Sequence, residues 1–335
     1  MKPREVCAPY AGLSPERVLD AVESAGFACD GRLLALNSYE NRVYQVGVEG
    51  GEPLVAKFYR PHRWSDEAIV EEHAFTQELA AAEVPAVPPW ADDSGRTLFS
   101  FQGFRFALYP KRPGRNPEFE APDTLRQMGR FLGRLHAVGA AGVFRHRPAL
   151  TPDSLGWESV QFLRGCGLVP ASAAASYFGI AEAVLQGVER GFARCGRPQT
   201  LRLHGDCHPG NVLWAREGPH FVDFDDSRTG PAIQDLWMLL SGTREEAEAQ
   251  LEAVLEGYTV FRDFDPRELY LVEALRSLRM IHHSAWIARR WDDPAFPAAF
   301  PWFGEPRYWE QQILALREQA GALDEPPLRV EVPGR

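Results

Sequence analysis

Along the first hundred residues the spacing of apolar positions changes period several times. From Ser14 to Phe27, the residues Val18, Leu19, Val22 and Phe27 share one side of a 3.6-residue repeat. Ser14 is placed to cap and Pro15 sits at the first helical position, so a leading helix is predicted. Between Arg32 and Tyr59 the period shortens. Arg42 to Val46 and Leu54 to Phe58, separated by Gly47, Gly50 and Gly51, predict two antiparallel strands and a turn, with Lys57 inside an apolar strand. Helical spacing returns from Ser65 to Ala82, carrying Glu67, Glu71, Glu72 and Glu78, and stops before Val84 to Pro89, where the prolines forbid continuation. Thr97 to Phe101 and Phe104 to Tyr109 predict two more short strands.

The proline- and glycine-rich run Pro110 to Pro117 has the character of a segment that joins lobes. It sets the expected boundary, with an N-terminal lobe over residues 1–110 and a C-terminal lobe over 111–335. Beyond it the chain is mainly helical. Leu125, Met128, Phe131, Leu132 and Leu135 mark a helix from Thr124 to Val138, and Ala171 to Arg194 gives one or two more. Ile233 to Leu240, Glu245 to Tyr258 and Glu268 to Trp291 complete a helical lobe. The expected class is α+β, a small lobe with an antiparallel sheet and a larger, mainly helical one. A length of 335 residues exceeds the usual single core and agrees with two lobes.

Candidate chemistry centres on His204-Gly205-Asp206-Cys207-His208-Pro209-Gly210-Asn211 and, further on, Phe221-Val222-Asp223-Phe224-Asp225. Short apolar runs flank both, so the acids are expected at the ends of strands around a turn. Asp206 can take or orient a hydroxyl proton, while Asn211 and Asp223 offer hard oxygens to magnesium on a nucleotide's phosphates. The spacing repeats the H-x-D-x-x-x-x-N plus D-F-x pattern of protein kinases and predicts ATP-dependent phosphoryl transfer. A strand lysine followed by a helix glutamate suits the phosphate-holding lysine and its carboxylate. Lys57 and Glu72 fill those positions, with Glu71 as the competing partner.

On Leu36 to Gln45, Lys57-Phe58-Tyr59-Arg60-Pro61, Leu203 to His208 and Gln234 to Leu240, the chain resembles the bacterial stress response kinase A family. That family lies within the aminoglycoside phosphotransferase and choline kinase superfamily. The resemblance implies the bilobal protein-kinase-like fold and phosphorylation of serine or threonine in a protein substrate, in bacterial stress physiology and programmed cell death. It makes Asp206 the catalytic acid/base, Asn211 and Asp223 the magnesium ligands, Asp223 catalytic through the metal it positions, and Ser38 a contact near the ATP phosphates. Asp235 matches a helix aspartate that braces the catalytic loop. Two departures from the protein-kinase pattern stand out. Asn37 to Val43 contains no glycine, so Ser38 and Asn41 are expected to donate to phosphate instead, and only about ten residues separate Asp225 from Asp235, too few for a long phosphorylatable activation loop, although Ser227 and Thr229 remain open to modification.

Composition narrows the partners. A formal net charge of -10 argues against nucleic acid and anionic membranes. No apolar stretch reaches the roughly 20 residues of a membrane span, and Met1 to Cys7 lacks a secretory core, which together predict a cytoplasmic protein. A monomer is expected. Cys7, Cys29, Cys166, Cys195 and Cys207 form no C-x-x-C pair, and the thiols are expected to be free, with Cys207 beside the catalytic acid raising a redox alternative. His136 is expected to be a partly buried, hydrogen-bonded residue near a helix end, and the pair His282-His283 is not expected to bind metal. Trp286, Trp291, Trp302, Phe303, Tyr308 and Trp309 are expected to pack as core; as a cage for a quaternary amine they would instead signal a small-molecule kinase of the homoserine, choline or aminoglycoside type. A nucleotide-binding pseudokinase is the third reading, opposed by the intact acids.

Overall fold

The computed structural model describes residues 9–332 apart from Glu120 and Glu217. Two compact units emerge, and neither is one continuous stretch of chain. The first comprises the described residues up to Pro117 together with Phe144–Arg147 and Pro209–Ser227; the second comprises Glu118–Val143, Pro148–His208 and the residues from Arg228 onward.

The first unit is built on a five-stranded antiparallel sheet. Helix α1 (Pro15–Ser24) begins as expected, with the Ser14 hydroxyl accepting from Arg17 N–H, but it ends three residues before Phe27, because Gly26 takes φ +98°. Strands β1 (Cys29–Leu36), β2 (Arg42–Val48) and β3 (Leu54–Phe58), helix α2 (Asp66–Ala81) and strands β4 (Phe99–Phe101) and β5 (Phe104–Pro110) follow, in the sheet order β1-β2-β3-β5-β4. Strand β1 was not expected from sequence. It is an edge strand with mostly exposed side chains, so no alternation betrays it.

Alternation along β3 places Lys57. Ala56 and Phe58 face the core that α1 fills with Val18, Ala21 and Val22, joined by Val46, Phe106 and Leu108. Lys57, between them, points to the opposite face. There Ala107, its partner on β5, packs with Ile69 of α2. After strand β6 (Thr200–Leu203) of the second unit, a hairpin of β7 (Val212–Ala215) and β8 (Gly218–Phe221) completes this unit. Arg115 N–H bonds Trp214 O at 3.1 Å and Val87 N–H bonds Phe221 O at 3.1 Å, tying the hairpin to the N-terminal chain.

The second unit is mainly helical: α3 (Pro122–Ala140), α4 (Glu158–Cys166), α5 (Ala171–Cys195), α6 (Ile233–Trp237), α7 (Arg244–Tyr258), α8 (Val272–Ala288), α9 (Ala295–Ala299) and α10 (Pro306–Asp324). Its two strands, β6 (Thr200–Leu203) and β9 (Arg228–Pro231), pair antiparallel, so the run before His204 pairs with β9. The expected helix from Glu268 to Trp291 is a 3-10 turn over Pro266–Leu271 followed by α8, and the expected Ile233–Leu240 shortens to α6. Helices α3 and α7 cross with their backbones close. A Cβ on Gly129 would lie 1.9 Å from Val254 O, and one on Gly257 would lie 1.9 Å from Arg126 O.

Of the aromatic residues expected to pack as core, Phe303, Tyr308 and Trp309 are buried, Trp286 and Trp291 are half-buried, and Trp302 is exposed. Trp309 is buried, its Nε1 donates to Phe303 O at 3.0 Å, and Tyr177 meets it edge-on at 4.9 Å. Tyr308 shares a 2.8 Å hydrogen bond with Ser284. His136 is fully rather than partly buried, held between the Tyr258 hydroxyl at 3.0 Å and Asp235 at 3.1 Å. No helix among the described residues is long and apolar enough to cross a membrane.

Candidate active site

The sequence-selected residues divide between the two units. In the first, Lys57 on β3 is 8% exposed, with its Nζ 2.9 Å from Asp223 Oδ1 and 3.3 Å from Asp225 Oδ1. Burial alone would push the ammonium's pKa down; the carboxylates of Asp223, Asp225 and Glu72 outweigh it and hold the value well above the ordinary range. Lys57 is therefore a fixed cation at neutral pH. Its ion pairs are with these two aspartates rather than with Glu72, which corrects the expected pairing. Glu72 is buried on α2 within the electrostatic reach of Lys57, and its nearer basic group is Arg147 at 3.8 Å. Burial raises the Glu72 pKa above the usual range. Glu71 is otherwise engaged, because its carboxylate accepts the backbone N–H groups of Arg145, His146 and Arg147 at 2.6, 2.8 and 2.9 Å.

Asp225, the second acid of Asp223-Phe224-Asp225, has no role that its sequence motif assigns. It is 3% exposed, and its Oδ2 accepts from Asn41 Nδ2 at 3.1 Å and from the Arg63 guanidinium. Burial would raise this carboxyl's pKa; Arg63 and Lys57 outweigh burial and hold it below the usual range. Arg63 also reaches Asp226 at 2.9 Å, and Arg147 closes the turn from behind by donating to Ser227 O at 2.9 Å. Asn41 is buried, and its Oδ1 accepts Arg60 N–H at 3.1 Å. Its amide thus locks the β1–β2 connection to Asp225 and is not presented as a phosphate donor, contrary to expectation. Ser38 lies half-buried in that same connection.

Asn211 and Asp223 stand at the open end of the β7–β8 hairpin, where Val222 N–H bonds Asn211 O at 3.0 Å. Asp223 has φ +58° and ψ 63°, a left-handed conformation that costs a non-glycine residue roughly 1–2 kcal/mol and concentrates at functional sites. Its side chain remains half exposed. Among the described residues no group of three His, Cys, Asp or Glu side chains forms a metal cage. An amide oxygen and a carboxylate fit the alternative of magnesium arriving with a nucleotide, which needs one or two hard protein oxygens and takes the rest from phosphate and water.

In the second unit, Asp235 of α6 braces the turn that leads to Asp206. Its Oδ2 accepts His204 N–H and its Oδ1 accepts Gly205 N–H, both at 2.9 Å, while Gln234 Nε2 donates to Gly205 O at 3.0 Å. Gly205 takes φ +84°, open to glycine at little cost. The loop backbone is thereby fixed and Asp206 projects from it. Arg279 of α8 donates to Asp206 Oδ1, and His208 Nε2 lies 3.3 Å from Oδ2. No sequence motif marks Arg279, which reaches the loop from 73 positions away. Cys207 is completely buried, and burial with the nearby carboxylates of Asp235 and Asp206 holds its thiol pKa well above the usual value, which removes the basis for a reactive thiolate. Cys29, Cys166 and Cys195 are also free thiols; Cys7 lies outside the described residues. His282 shares a 3.3 Å hydrogen bond with Ser159, and His283 stacks on Trp286.

A description of the phosphotransferase enzyme family matches residues 32–272. Stress response kinase A of Salmonella choleraesuis strain SC-B67 is 44% identical over 323 residues, covering 96% of this chain and 97% of its own. The chain belongs to the stress response kinase A family of phosphotransferases. A relative from Salmonella typhimurium, serine/threonine protein kinase RdoA, has the same identity and coverage. The fold is also that of amicoumacin kinase hAmiN in complex with AMP-PNP, Ca2+ and Ami, with a TM-score of 0.71 over 93% of this chain and 94% of the other at 17% identity. The kinase is thus a mixed α/β enzyme of the phosphotransferase class, as its sequence motifs predict.

Proposed function

We propose that this kinase transfers the γ-phosphoryl group of ATP directly to serine or threonine hydroxyls of a protein substrate, in a bacterial stress response and in the cytoplasm, where ATP is available. The observation that carries the reading is the catalytic loop. Asp235 clamps the backbone at His204 and Gly205 so that an aspartate is displayed five positions before an amide suited to magnesium. The acceptor assignment draws on the 44% identical relative named as a serine/threonine protein kinase.

Asn211 and Asp223 would hold magnesium, which supplies charge neutralisation on the phosphates when bound. Lys57, a permanent cation on a rigid strand, exchanges part of its pairing with Asp223 and Asp225 for phosphate oxygens. Asp206 orients the acceptor hydroxyl and accepts its proton as the new oxygen–phosphorus bond forms and the bond to ADP breaks. No covalent enzyme intermediate is needed.

Incubation with γ-labelled ATP and magnesium, followed by hydrolysis of labelled protein and separation of phosphoamino acids, tests the proposal. Phosphoserine or phosphothreonine is expected. Label confined to small hydroxyl compounds would move the acceptor to a metabolite, and absence of any magnesium-dependent turnover would leave only a nucleotide-binding role.

A further inference from the structure

Within the second unit, the candidate base is held by basic groups on both of its oxygens, by Arg279 on Oδ1 and by His208 on Oδ2. An acceptor hydroxyl must displace or share one of them. Arg279 is the group placed to yield. Its side chain is 47% exposed, and among the described residues it pairs with Asp206, whereas Arg276, one turn earlier, has Glu273 at 3.7 Å. Between Val272 and Ala288 a single acid, Glu273, accompanies two arginines and two histidines, a local excess of basic groups in a chain of net charge -10.

Resting on the protein-kinase reading above, we infer that Arg279 is an acceptor-reading residue and that the preferred substrate carries a carboxylate within about two residues of the target hydroxyl. The guanidinium has five N–H donors in a planar fork that matches a carboxylate in a bidentate pair. An acidic side chain beside the acceptor gives that fork a new partner, and Asp206 Oδ1 is released as the hydroxyl arrives. A neutral acceptor offers no such exchange, so the base stays paired and the hydroxyl is held less often in the reactive position. A basic neighbour would be repelled by Arg279.

The test uses the full-length enzyme, labelled ATP and three peptides identical except for the residue next to one serine: Glu, Gln or Lys. Wild type is expected to show kcat/KM at least about tenfold higher on the Glu peptide than on the Gln peptide, equivalent to about 1.4 kcal/mol. Arg279→Ala should bring that ratio to about one, and Arg279→Glu should shift the preference to the Lys peptide, a reversal that a purely structural role would not produce. Peptides labelled by wild type without regard to charge, or a Glu preference that survives in Arg279→Ala, would overturn the inference and leave the protein-kinase reading intact. Label entering small hydroxyl compounds and no peptide would overturn both.

Discussion

Three donors converge on the single carboxylate of Asp225, and one of them, Arg63, comes from a stretch with no motif character. A buried ion pair stripped of one partner leaves an uncompensated charge, and such changes destabilise by about 3–5 kcal/mol. Asp225→Asn keeps an oxygen for Asn41 but leaves Arg63 with Asp226 and Lys57 with Asp223 as their remaining close acids, so urea unfolding should show a smaller loss, of about 1–3 kcal/mol, and a higher KM for ATP; stability within about 0.5 kcal/mol of wild type would refute this anchoring role. At this scale the sequence picks out Lys57, Asp206, Asn211 and Asp223 by the type and spacing expected of kinase chemistry, and the structure brings Lys57 to Asp223. The partner of Lys57 was not, since a choice between Glu71 and Glu72 depends on helix rotation and on the backbone N–H groups of 145–147 that occupy Glu71.

Elements carry the site through two unobtrusive features. Glu268, on the 3-10 turn Pro266–Leu271, accepts Ile233 N–H at 2.9 Å and so caps α6, the helix that bears Asp235. Burial pushes its pKa up to about 7 against that favourable hydrogen bond. From the ordinary value of 4.5 to about 7 the folded protein keeps a proton that the unfolded chain has lost, so stability falls as pH rises through that window, by about 3 kcal/mol. Glu268→Gln retains the acceptor oxygen and removes the charge. Its stability relative to wild type, from urea midpoints at several pH values, should improve between pH 5 and pH 8; an unchanged difference would show that Glu268 is not protonated in the fold. The α3–α7 crossing makes a second prediction. Gly129→Ala drives a methyl into Val254 O, so a loss of about 1–3 kcal/mol or more is expected in the same assay, whereas Ala at open Gly165 should be near neutral. Helical periodicity announced both helices, but only their packing reveals why glycines sit at 129 and 257. Strand β1 escaped detection because an exposed edge strand has no apolar face to alternate.

On the scale of the whole chain, the order of residues and the order of packing part company after the first hundred positions. Residues 209–227 return to the N-terminal unit and bring Asn211, Asp223 and Asp225 to the lysine of β3, whereas Asp206, three positions before Pro209, belongs with the helices. A continuous run of sequence shows the motifs but not this exchange, because hydrophobic period says which face is buried and not what covers it. Under the proposed function, nucleotide holding would fall to one set of residues and acceptor activation to another, joined by a short loop. The decisive measurement compares ATP affinity and single-turnover transfer in wild type and Asp206→Asn. The account predicts near-normal ATP binding with transfer slowed by at least about a hundredfold, the scale of losing one positioned acid–base group. A correctly folded Asp206→Asn enzyme that transfers phosphate at the wild-type rate would contradict it.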